Sequence, residues 1–277
     1  MSQLASSYPE AERMVQAVMS RDGSAIAYEL RGRGPALVVV NGALSDRRST
    51  ADLAAALASS FTVYAYDRRG RGSSIDHAPY AVEREVEDLA VLLEVIGAPA
   101  FLYGHSAGGV LALEAALAGL DVERLVVHEP PYIVPGSRPP VASDLRARLE
   151  TLLARGDRDE AVATFYREAV GLGAGIVDGL RVSGEWDAQR ALAHTLPYDV
   201  WLTSGPLPRD RLVDLAIPVL VIVGGASPRW MRQGSEALVE ALPQGRLAVL
   251  EAQGHVATAD AVALELSRFL LGTAAAV

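Results

Sequence analysis

Residues 100–117 read Ala100-Phe101-Leu102-Tyr103-Gly104-His105-Ser106-Ala107-Gly108-Gly109-Val110-Leu111-Ala112-Leu113-Glu114-Ala115-Ala116-Leu117. An apolar run predicts a strand and the alanine- and leucine-rich stretch predicts a helix. Between them sits G-x-S-x-G. That motif becomes a nucleophile elbow when a strand precedes it and a helix follows. The turn is so tight that bulky neighbours would clash, which accounts for glycine two residues before and after Ser106. An elbow exposes the serine hydroxyl beside the backbone N–H groups of a helix N-terminus, and those donors can stabilise an oxyanion. The sequence therefore points to acyl transfer.

Outward from this segment, strand and helix signals alternate. Met14–Met19 and Ala25–Leu30 read as a hairpin around Arg21-Asp22-Gly23-Ser24. Ala36–Val40 is continuously apolar, as a strand buried on both faces should be. A helix is predicted over 50–59, a strand over 61–66 and a helix over 80–96. Arg124–His128 follows the elbow helix as another strand. Then the rhythm stops. Residues 132–215 hold helical patterns near 143–154, 158–170 and 185–194 but no convincing strand. Strands return at 217–223 and 246–250, with helices over 230–241 and 261–271. This order predicts an α/β core with a mostly parallel sheet covered by helices on both faces. Residues 1–131 and 216–277 form that core, 132–215 an inserted helical lid, and 1–11 a loose arm.

Composition narrows the partners. The 277 residues carry a formal charge of −9, which disfavours nucleic acid and anionic membrane surfaces. All basic residues are arginine, and cysteine is absent, so disulfides, thiolate nucleophiles and cysteine-ligated metals are excluded. The first ten residues lack the basic start and apolar core of a secretory signal. No stretch approaches about 18 uninterrupted apolar residues. The expected location is the cytoplasm, with no cofactor and no metal.

A serine hydroxyl needs a base, because it is almost wholly protonated at neutral pH. Of five histidines, His105 lies inside the elbow and points away from the serine. His128 ends a strand, His77 lies in a loop, and His194 falls in the lid. His255, in Ala252-Gln253-Gly254-His255-Val256, stands in the loop between the last strand and the last helix, where a base can approach Ser106. The third member of a triad must be a carboxylate that orients the imidazole. In this layout it commonly follows the penultimate strand, yet Gly224-Gly225-Ala226-Ser227-Pro228-Arg229-Trp230 contains none, and Ser227 holds the expected place. One strand earlier, Glu129 stands at the strand end, on the sheet edge where catalytic groups gather. The expected order is Ser106, Glu129, His255. Oxyanion donors are expected from the backbone N–H of Ala107 and from the loop after the third strand, at Ala43. Asn41 could bond that loop or a ligand. Asp67-Arg68-Arg69-Gly70-Arg71-Gly72-Ser73 lacks the phosphate-loop pattern and reads as a structural turn in which Asp67 and the arginines tie loops together.

Taken together, these residues resemble the α/β-hydrolase superfamily over nearly the whole chain. Asn41-Gly42 stands where that family usually has His-Gly, residues 67–73 are similar to its D-x-R-G-x-G-x-S turn, and the elbow and Gly254-His255 match. The departure is the acid. A minority of members, zearalenone-type lactonases among them, carry a glutamate after the preceding strand, and Glu129 resembles that arrangement. The resemblance implies a serine hydrolase acting on a small hydrophobic ester or lactone. Asn41, Leu44, Trp186, Tyr198, Trp201 and Trp230 are the expected pocket residues. The alternatives on the same fold are a small-ligand receptor and a non-hydrolytic acyl-transfer or perhydrolase-type enzyme.

Overall fold

A computed structural model of the chain describes residues 14–97 and 99–272. The arm expected over 1–11 lies outside them. Eight strands form one sheet: β1 (Gln16–Met19), β2 (Ala25–Gly32), β3 (Ala36–Val40), β4 (Thr62–Tyr66), β5 (Ala100–His105), β6 (Val122–His128), β7 (Val219–Gly224) and β8 (Gly245–Leu250). Their spatial order is β1-β2-β4-β3-β5-β6-β7-β8. The pairs β1–β2 and β2–β4 are antiparallel, and β4 through β8 run parallel.

The inner strands are apolar at successive positions because each face needs its own cover. Val38 and Val40 of β3, Leu125 and Val127 of β6, and Val219 and Val221 of β7 pack on one side. They meet helices α2 (Val82–Ile96), α3 (Ala107–Leu117) and α10 (Arg229–Ala241). Leu37, Val39, Val126, Leu220 and Ile222 point the other way, onto α1 (Ala51–Leu57) and α11 (Ala259–Leu271). The period of two along each strand makes this division.

Between β6 and β7 the chain forms α4 (Leu145–Ala154), α5 (Arg158–Phe165), a π turn at Tyr166–Val170, α6 (Ala174–Arg181), α7 (Trp186–Leu192), α8 (Leu196–Thr203) and α9 (Arg209–Leu212). These pack around a third core that includes Leu149, Val162, Phe165, Trp186 and Leu196. Helices α6, α8 and α9 are absent from the sequence reading. α6 carries two glycines in eight residues, which lowers its intrinsic propensity. α8 carries Pro197 in its first turn, where the missing N–H is no loss. No helix of the described residues is long and apolar enough to cross a membrane.

Candidate active site

Four residues other than glycine have positive φ among those described: Leu44 at 54°, Ser106 at 54°, Glu129 at 47° and Ala252 at 59°. Each lies in a loop after a strand on the same sheet edge, following β3, β5, β6 and β8 respectively. Such backbone costs about 1–3 kcal/mol per residue and persists only where the surroundings over-determine it.

Ser106 bridges β5 and α3 with φ 54° and ψ −123°. Its N–H donates to the His128 carbonyl at 2.9 Å, which fixes the turn to the end of β6. The first turn of α3 presses on the loop after β3. A Cβ at Gly108 would lie 2.1 Å from the Val40 carbonyl oxygen and 2.6 Å from that of Asn41, so only glycine fits. On the other side of the contact, a Cβ at Gly42 would come within 3.2 Å of the Ser106 Cβ. The segment Asn41-Gly42-Ala43 is thereby held against the serine. The Asn41 amide donates to the Asp46 carbonyl at 2.9 Å, and Arg68 Nη1 donates to the Asn41 carbonyl at 3.3 Å.

Glu129 reaches across from the end of β6 and is fully buried. Its Oε1 accepts the Gly224 N–H at 2.8 Å, and its Oε2 lies 2.6 Å from His255 Nδ1. Burial alone would raise this carboxyl. Hydrogen bonding, from His255 first and then from the Ser227 hydroxyl and the Gly224 N–H, outweighs it and holds the group below its ordinary value. A carboxylate that only accepts requires a proton on Nδ1, which leaves His255 Nε2 free to accept one. Ser227 is buried in the loop after β7 and brings no charge to the site.

His105 places its Nε2 2.9 Å from the His255 carbonyl oxygen and so donates to it. The two rings are 4.6 Å apart, and the His128 ring lies 5.0 Å from His105 on the other side. Burial first, and the neighbouring His255 second, push the His105 imidazole down to about 4. His128 is pushed well below its ordinary value by burial first and by the neighbouring His105 second. The loop that carries His255 therefore rests on neutral rings.

Ser106, His255, Ala43 and Ala107 all border one open cleft of about 590 Å³, part of it open to solvent. Its apolar walls include Ile133, Val141, Phe165, Val200, Trp230 and Met231. Of the six expected pocket residues, only Trp230 lines it. The other five are placed elsewhere, and each for a physical reason. Asn41 is buried beneath its loop. Leu44 belongs to the core of the helical insertion. Trp186 is buried in that core, with its indole N–H donated to Asp159 at 2.7 Å. Tyr198 stacks on Tyr80 at 4.1 Å and donates to Asp76 at 2.6 Å. Trp201 is 43% exposed, against the edge of Tyr80 and under the Arg146 guanidinium. Val200 and Thr203, which do border the cleft, are three residues apart on α8. That i, i+3 spacing was the available signal, and the aromatic residues beside it masked it.

The charged turn after β4 is a buried ion-pair lattice. Asp67 pairs with Arg47, Arg68 with Glu85 and Asp199, Arg69 with Asp88 and Asp22, and Arg71 with Asp199. Among the described residues, no group of three or more His, Cys, Asp or Glu side chains is placed to hold a metal ion.

Residues 37–265 match the model of the alpha/beta hydrolase family. An alpha/beta hydrolase from Sphaerobacter thermophilus is 47% identical, with a TM-score of 0.89, and the match covers 92% of this chain and 100% of that one. The pimeloyl-[acyl-carrier protein] methyl ester esterase of Xanthomonas campestris is 27% identical over 268 residues, covering 86% of this chain and 96% of the relative. The uncharacterized hydrolase YraK of Bacillus subtilis is 34% identical over 113 residues. That match spans 39% of this chain and 42% of YraK, less than half of either. The chain belongs to the alpha/beta hydrolase family, and its class is hydrolase.

Proposed function

We propose that the protein is a serine hydrolase that cleaves a carboxylic ester or lactone of a small hydrophobic substrate through an acyl-enzyme. The observation that carries this reading is the 2.6 Å contact of His255 Nδ1 with the buried Glu129 carboxylate, with His255 and Ser106 bordering one cleft. His255 Nε2 takes the Ser106 proton as the hydroxyl oxygen attacks the substrate carbonyl. The N–H groups of Ala43 and Ala107 receive the developing oxyanion. His255 then returns the proton to the leaving alcohol, activates a water in the same manner, and the acyl group departs as a carboxylic acid. Glu129 keeps the ring in one tautomer and stabilises the imidazolium. No step calls for a cofactor.

The substrate class is argued from the apolar walls, and the methyl ester esterase named above acts on an ester by its own name. Residues 132–215 serve as the lid, with 1–131 and 216–277 as the core. A cytoplasmic site of action accords with the acidic, cysteine-free composition. The test is turnover of p-nitrophenyl butyrate together with fluorophosphonate labelling. Wild type is expected to turn over repeatedly and to carry the label on Ser106, and Ser106→Ala to lose both. A Ser106→Ala protein that retains full turnover overturns the reading. A single turnover with a retained adduct favours a receptor instead.

A further inference from the structure

Helix α8 of the insertion turns an acidic side chain inward. Asp199 is 1% exposed and borders the cleft. Arg71 Nη2 lies 2.8 Å from each of its oxygens, and Arg68 Nη1 lies 2.9 Å from Oδ1. Both arginines come from the turn after β4 and are themselves buried. The far side of the Arg68 fork is filled by Glu85, at 2.7 and 2.6 Å. The same Nη1 that meets Asp199 also donates to the Asn41 carbonyl at 3.3 Å. Asn41 opens the three-residue segment that carries the Ala43 N–H beside Ser106.

One guanidinium therefore touches the insertion, the core and the loop that faces the nucleophile. The cluster is balanced, with Arg68 and Arg71 against Glu85 and Asp199. Asp199 is the only carboxylate paired with Arg71 among the described residues. A second clamp seats the same helix, through Tyr198 stacked on Tyr80, whose hydroxyl donates to Glu85 at 2.8 Å. Arginine cannot shed its charge in a protein, so removing the anion leaves a desolvated cation with no counter-charge. The fork of Arg68 would then follow Glu85 alone, and its bond to the Asn41 carbonyl would be the one to lengthen.

We infer that Asp199 is a positioning residue: seated on Arg68 and Arg71, it sets the oxyanion loop through the Asn41 carbonyl, so the loop is in register only when the lid helix is docked. The inference rests on the serine-hydrolase reading of the cleft. Its substance is a split between ground state and transition state. Loss of Asp199 weakens the hold on the oxyanion and leaves substrate binding on the apolar walls.

The experiment compares wild type, D199N and the charge-balanced double variant R71Q/D199N. Melting temperature, kcat and KM for p-nitrophenyl butyrate are measured, with the Ki of an alkyl trifluoromethyl ketone, whose adduct with serine carries an oxyanion. D199N is expected to melt lower and to lose about 10- to 100-fold in kcat, below the cost of deleting an oxyanion donor outright. KM should stay within about threefold. The double variant removes one cation with the anion. It should regain melting temperature while kcat and ketone affinity stay depressed by about tenfold or more. If kcat and ketone affinity return together with melting temperature, or if the loss falls in KM alone, the role is structural and the inference is overturned. Should D199N not fold, the double variant against wild type decides. Fluorophosphonate labelling of Ser106 in wild type separates this outcome from failure of the underlying reading, because that label does not depend on residue 199.

Discussion

His255 and Glu129 are 126 residues apart in the chain and 2.6 Å apart in the fold, and the second oxygen of the same carboxylate is taken by the Gly224 N–H. Both acceptor atoms are thus committed, one to the imidazole and one to the neighbouring strand. Glu129→Gln should preserve the shape of this contact but allow the wrong ring tautomer. A fall of about 10³- to 10⁴-fold in kcat is expected. Steady-state kinetics with p-nitrophenyl butyrate measure it, and a loss under tenfold would remove Glu129 from the mechanism.

Gly108 leaves no room for a side chain, with the Val40 carbonyl oxygen 2.1 Å from where a Cβ would sit. Gly108→Ala must push α3 away from β3, and both segments carry proposed oxyanion donors. Destabilisation of about 3 kcal/mol or more is expected, which for a chain of this size lowers the melting temperature by roughly 6–12 °C. Calorimetry reads it directly. An unchanged melting temperature would contradict the close approach of the two backbones.

His105 titrates at about 4 in the fold against its ordinary 6.5. Its folded value lies below its unfolded one, so protons favour the unfolded chain. The stabilisation is complete above pH 6.5 and declines as pH falls from 6.5 towards 4. His128 acts in the same direction. Glu129, held below its ordinary value of 4.5, adds a loss at lower pH still. Melting temperature is expected to fall below pH 6.5. The fall should be shallower in His105→Gln, whose amide can still donate to the His255 carbonyl. Equal slopes in the two proteins would show that His105 is not the titrating group.

Two tryptophans named from the sequence should behave differently. Trp186 is buried with its N–H on Asp159, so Trp186→Ala should cost about 3–5 kcal/mol of stability. Trp230 borders the cleft, so Trp230→Ala should shift the ratio of kcat/KM between p-nitrophenyl octanoate and acetate by about tenfold. Melting curves and paired kinetics test the two. A Trp186→Ala protein of normal stability with altered selectivity would reverse the assignment.

The strands and the elbow were legible because their signals are local. Five consecutive apolar residues announce β3, and G-x-S-x-G between a strand and a helix announces the turn at Ser106. His255 and Glu129 could be read from their places after strands, and the place of Glu129 became visible through the lack of any acid over 224–230. What could not be read depends on contacts made far along the chain. Arg71 and Asp199 are 128 residues apart. Glu85 and Asp88 of α2 look like solvent-facing carboxylates, yet both are buried because Arg68 and Arg69 meet them. The aromatic residues of the insertion suggested a pocket. Trp186 and Tyr198 instead satisfy their polar atoms inside the insertion and against the core, and Phe165 with aliphatic side chains faces the cleft.

Because Glu129 stands at the end of β6, it and Ser106 follow adjacent strands of one parallel pair, joined by a single helix. The end of β7 supplies the Gly224 N–H to Glu129, and the loop that follows it has no charge to hold. That loop leads directly into Trp230. Under the proposed mechanism, variation there can reshape which molecules enter while Ser106, Glu129 and His255 stay where they are, so selectivity and reactivity can diverge independently in this architecture.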